Sequence, residues 1–96
     1  MKETIFYILI SIKTAGGFES IGKFYVGDDR KIAASIFNRL QGSPDVDEKT
    51  ILTIDLVETV DDLPVNMKMI TCTLRELGEN CKIIVREAFK LINLAN

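Results

Sequence analysis

The sequence predicts one small α+β domain of order ββαββα, an antiparallel-rich four-stranded sheet with two helices on one face. Three observations carry that expectation. Apolar residues alternate along Thr4–Lys13 and Phe18–Val26 around a glycine-containing turn. Ile32, Ala33, Ile36, Phe37 and Leu40 form a helical stripe. Leu74, Leu77, Cys81, Ile84, Ala88, Leu91 and Ala95 keep a four-three spacing through the C-terminal segment.

Thr4–Lys13, rich in Ile, Phe and Tyr, reads as the first strand. Its even positions (Phe6, Ile8, Ile10, Ile12) are uniformly apolar. Its odd positions run Ile5, Tyr7, Leu9, Ser11, Lys13, apolar at one end and polar at the other. The second strand sets Phe18, Phe24 and Val26 against Glu19, Ile21, Lys23 and Tyr25. Keeping the even faces together requires opposed residue numbers to sum to an even value. A three-residue loop Ala15-Gly16-Gly17 satisfies this and offers a glycine for a left-handed position. It pairs Lys13 with Glu19, Tyr7 with Tyr25, Ile8 with Phe24 and Phe6 with Val26.

Asp28 is the expected N-cap of the first helix, and Gly42 with Pro44 stops it. Thr50–Glu58 is the third strand. Residues 65–71 admit two readings. The alternation of Val65, Met67 and Met69 makes a fourth strand. The four-three spacing, already begun at Leu63, makes three strands plus a longer C-terminal helical segment. A capping box of Thr73 and Glu76 starts a helix at about residue 74 and favours the strand, with Gly78 a candidate break. A right-handed crossover through the first helix makes the second and third strands parallel with the fourth between them. The expected strand order is therefore 3-4-2-1, a circularly permuted ferredoxin-like arrangement. No internal repeat is visible in the sequence.

Length and composition bound the function. The 96 residues are 47% hydrophobic and 27% charged, the balance of one globular domain. Twelve basic residues against 14 acidic ones leave a net charge of −2, without the excess that phosphate neutralisation needs, so no nucleic-acid partner is expected. The apolar run Ile5–Ile10 is too short to span a bilayer and no cleavage site follows it. A cytoplasmic chain with no membrane partner and with Cys72 and Cys81 as thiols is the expectation. The absence of histidine removes the commonest general base and metal ligand, and two cysteines alone do not complete a structural zinc site. No metal or other cofactor is expected.

Several motifs invite chemistry and fail on context. Gly17-Phe18-Glu19-Ser20-Ile21-Gly22-Lys23 has the spacing of a phosphate-binding loop, but Phe24 follows where Ser or Thr is needed and the segment continues as a strand. Asp45-Val46-Asp47-Glu48 lacks the turn glycine and terminal glutamate of a calcium loop. Asp28-Asp29 and Asp61-Asp62 suit caps and turns. Lys82, Arg86 and Lys90 form a basic row among Glu79 and Glu87, the pattern of a solvated helix face. Cys81 falls on an apolar stripe. Cys72, near a helix start, is the one nucleophile candidate.

The second face of the sheet is more informative. With the helices on the even face, the other displays Ile5, Tyr7, Leu9, Ile21, Tyr25, Ile51 and Val57. A sheet face left to water ordinarily alternates apolar with polar, and a contiguous apolar group marks an interaction surface. The leading expectation is a non-enzymatic homodimeric module using this face, with a protein partner as a further option. The chain's own C-terminal segment is the alternative cover. Two other functions stay open: a small-ligand-binding or regulatory domain, with its ligand between sheet and helices or at a dimer seam, and a thiol-dependent enzyme using Cys72.

Through Gly22-Lys23-Phe24-Tyr25-Val26-Gly27-Asp28-Asp29 and Leu63-Pro64-Val65-Asn66-Met67-Lys68 the chain resembles small hypothetical bacterial proteins of no known function. The resemblance spans most of the length, implies a bacterial origin and carries over no active residues.

Overall fold

A computed structural model describes residues 4–94. The order is β1 (Thr4–Thr14), β2 (Gly17–Tyr25), α1 (Arg30–Asn38), β3 (Leu52–Val60), β4 (Leu63–Cys72) and α2 (Leu74–Leu94). Residues 65–71 therefore belong to a strand, and α2 runs through Gly78 without a break. The N-cap of α1 is Asp29 rather than Asp28: its carboxylate accepts from the N–H groups of Lys31 and Ile32. Thr73 and Glu76 make the expected capping box, each side chain accepting from the other's backbone N–H.

The four strands form one antiparallel sheet, but in the order β2-β1-β3-β4. This corrects the expected order, and with it the permuted ferredoxin-like arrangement. β2 and β3 do point the same way, yet the strand between them is β1, not β4. Burial explains the choice. β1 and β3 carry apolar residues on both faces and take the two central places, where both faces are most sheltered. β2, with Glu19 and Lys23, and β4, with Pro64, Asn66 and Lys68, form the edges, where charge and proline discourage further pairing.

The first hairpin also corrects the predicted register in part. Tyr7 faces Tyr25, Ile8 faces Phe24 and Ile10 faces Gly22, as expected. Nearer the turn, Lys13 faces Phe18 and Ile12 faces Glu19, so the Lys13–Glu19 pair does not form. A bulge between Ile10 and Ser11 absorbs one extra residue of β2 and reconciles the two registers. Gly17 has φ +112°, the left-handed conformation that a glycine supplies without a Cβ penalty.

The sequence has no visible repeat, but the structure has one: two ββα units joined through β1 and β3 by an approximate two-fold. Ala15-Gly16 corresponds to the turn Asp61-Asp62, and the bulge after Ile10 to the register shift after Leu56. Phe6, Ile8 and Ile10 correspond to Leu52, Ile54 and Leu56, and all six are buried on the helix side. Leu9 pairs with Asp55 at the centre of the relation.

Both helices cover the even face. Phe6, Ile8, Ile10, Ile54 and Leu56 pack beneath Ala33, Ile36 and Phe37 of α1 and Ile84 of α2. Two polar contacts tie the helical layer together. Arg39 at the end of α1 pairs with Glu87 of α2 at 2.6 Å, and that hydrogen bond holds the Glu87 carboxyl below its ordinary range. Asn80, fully buried, accepts from the Gln41 N–H and donates to the Gln41 carbonyl. The chain after α1 thereby closes on β4: Ser43 and Thr71 exchange backbone hydrogen bonds, and a Cβ at Gly42 would collide with the Thr71 carbonyl.

Asn80 satisfies two backbone groups away from water, so its loss leaves both unpaired. Asn80→Ala is expected to lower stability by about 1–3 kcal/mol in urea unfolding. A change within error would show that water replaces the side chain.

Candidate functional site: the open sheet face

Four rows of side chains cross the uncovered face. Tyr25, Tyr7, Val57 and Asn66 form one, and Lys23, Leu9, Asp55 and Met69 the next. Ser20, Ser11, Thr53 and Thr71 form a hydroxyl row, and Ile5 lies beside Thr59 at the opposite end. Of the seven residues the sequence placed here, Ile5, Tyr7, Leu9, Tyr25 and Val57 share the face. Ile21 lies at the bulge of the edge strand, 57% exposed. Ile51 precedes β3 at one end of the sheet and lines a cavity there instead. Val57 is buried between its neighbours and supports the face rather than presenting itself.

Two charged groups stand among these residues, and the apolar pattern alone did not draw attention to them. The Lys23 ammonium lies 4.3 Å from the centroid of the Tyr7 ring, a cation–π contact that orients both side chains. Ile5, Tyr7, Lys23, Tyr25, Thr59 and Asp62 line a depression of about 350 Å³ around it. Asp55 is half-buried at the centre. The Asn66 side chain hydrogen-bonds its carboxylate, but Oδ1 is buried with no hydrogen-bond partner among the described residues. Desolvation outweighs the Asn66 contact and raises the Asp55 carboxyl above its ordinary pKa. The alternation of β3 assigns Asp55 to this face from sequence; its unmet hydrogen-bonding capacity needed the neighbours in place.

Cys72 ends β4 opposite Leu52, remote from this face. Burial foremost, then the charges of Glu76 and Cys81, push its thiol up, away from the nucleophilic thiolate. No group of three or more His, Cys, Asp or Glu among the described residues is placed to hold a metal ion. No described helix is long and apolar enough to cross a membrane.

No family model matches the chain, and no curated protein or solved structure matches it. The functional reading therefore rests on geometry.

Asp55 sets a pH dependence of known sign. A carboxyl raised in the folded state holds its proton more tightly than in the unfolded chain, so its contribution to stability is full below the unfolded pKa. That contribution is lost as pH rises through the folded value. In dilute, monomeric protein, Asp55→Asn should therefore raise the midpoint of thermal unfolding at pH 7 and flatten its decline above pH 4. An Asp55→Asn variant less stable than wild type at pH 7 would mean that the carboxylate is stabilised by contacts other than these.

Proposed function

We propose that this chain is a non-enzymatic interaction module that forms a two-fold homodimer by stacking the open sheet faces of two copies. The observation that carries the reading is the position of α2. The C-terminal segment is the alternative cover for this face, and through Leu94 it runs on the other side, with Ile84 in the core and Leu91 packed against it. Among the described residues, nothing crosses Tyr7, Leu9 and Tyr25, which form an apolar centre for a sheet-on-sheet contact.

Charge favours a second copy of the same chain. Lys23 and Asp55 flank Leu9 in one cross-strand row, a cation and an anion on either side of an apolar residue. A two-fold axis lying over Leu9 and parallel to the strands sets Lys23 against the partner's Asp55, and does so twice. The half-buried Asp55 carboxylate then gains a cationic partner, while Leu9 packs on Leu9 at the axis. An isologous interface of this kind needs no second gene product.

Sedimentation equilibrium tests this. Wild type is expected to dimerise, and Tyr7→Lys or Leu9→Lys to sediment as monomer with unchanged circular dichroism. Dimerisation should strengthen as pH rises through the Asp55 carboxyl, because only the ionised form pairs with Lys23. Variants that fold and remain dimeric would place the interface elsewhere.

A further inference from the structure

A large concavity lies at the end of the sheet where β3 begins and β4 ends. Its volume is about 850 Å³, more than twice that of three other depressions, at about 310, 360 and 350 Å³. That is the size of a pocket for a small organic molecule. Ile12, Leu52 and Cys72, adjacent across three strands, provide an apolar side. Ile51 and Leu74 add exposed apolar surface; Leu74, at 77%, is the most exposed of the large apolar residues described.

The other wall is the loop between α1 and β3, and hydrogen bonds hold it in place. The Thr71 hydroxyl donates to the carbonyls of Ser43 and Asp45. Asp47 accepts from the Lys49 N–H, and the Thr50 hydroxyl accepts from the Asp47 N–H. Charge along this wall is unbalanced. Asp45, Asp47 and Glu76 face the cavity against Lys49 alone. Asp47 is engaged in its own turn and Glu76 in the capping box. The Asp45 carboxylate accepts no hydrogen bond among the described residues; only its backbone is engaged, the N–H with the Ser43 hydroxyl and the carbonyl with the Thr71 hydroxyl.

From this combination we infer that the cavity binds a small amphipathic amine, with its apolar body against Ile12, Leu52 and Cys72 and its ammonium group at Asp45. An anionic head would meet three carboxylates and is disfavoured. A neutral head gains the apolar contact without the ionic one. The pocket and the open face share none of Tyr7, Leu9, Tyr25, Lys23 or Asp55, so this inference stands independently of the dimer.

Cys72 serves as a built-in reporter, because a molecule seated against its side chain shields it from alkylating agents. The test uses three ligands of one shape on the full chain: 4-phenylbutylamine, 4-phenylbutanol and 4-phenylbutyrate. Alkylation of Cys72 by N-ethylmaleimide is followed by mass spectrometry, with thermal unfolding alongside. At about four times its dissociation constant the amine is expected to slow Cys72 alkylation about fivefold and to raise the unfolding midpoint. The alcohol should protect less and the acid least. Asp45→Asn, at an exposed loop position, should bring the amine down to the level of the alcohol. Leu74→Ser should weaken protection by amine and alcohol alike. Equal protection by the acid, or an amine preference that survives Asp45→Asn, would overturn the assignment of the head group. Absence of protection by all three ligands at millimolar concentration would overturn the site.

Discussion

Strands β1 and β3 pair without a break from Thr4 opposite Val60 to Ile12 opposite Leu52, and the remainder of the structure is arranged around that contact. β1 is apolar on both sides over much of its length and β3 is sheltered on both from Leu52 to Val57, so neither can serve as an edge without exposing a row of unpaired backbone beside large side chains. Pairing them with each other places both in the interior of the sheet. Each then keeps its own hairpin partner on the outside, and the two helices return to the same face. The two ββα halves and their approximate two-fold follow from this one choice. So does the open face, because a helical layer on one side leaves the odd positions of β1 and β3 without cover.

The two halves differ in character where they meet. Leu9 and Asp55 occupy equivalent positions across the approximate two-fold and lie directly opposite each other. An apolar residue in one half and a carboxylate in the other give the face a polarity that a symmetric sheet would lack. Lys23 adds the complementary charge two strands away. In the proposed dimer, rotation about an axis over Leu9 sets these two charges against their counterparts on a second copy. The cavity lined by Ile12, Leu52 and Cys72 lies at the end of the same sheet, so the proposed amine site and the proposed dimer share neither Leu9, Lys23 nor Asp55.

Much of this was legible in the residues. The order of elements, the capping box at Thr73 and Glu76 and the even-face core all follow from spacing and side-chain chemistry. Strand order did not emerge, because the crossover rule fixes the direction of β3 relative to β2 but not which strand lies between them. Part of the signal was present: the two-sided apolar pattern of Ile5–Ile10 marks a central strand, and Pro64 and Lys68 mark an edge. Parity arithmetic recovered the hairpin only as far as Ile10, since a bulge changes the parity without leaving a residue type behind. Asn80 reads as a polar interruption of a helix until Gln41 is brought beside it. Ile51 has the right parity for the open face but lies beyond the end of β3, where the loop turns it toward the cavity.

The central claim is that the open face is completed by another copy of this chain. Native mass spectrometry of the wild-type protein at micromolar concentration tests it most directly, read beside crosslinking between Lys23 and acidic residues of an isotopically labelled second copy. The account predicts a two-chain species and a mixed-label crosslink joining Lys23 to Asp55. A single-chain species at every accessible concentration, or a two-chain species whose crosslinks all lie on the helical face, would contradict it.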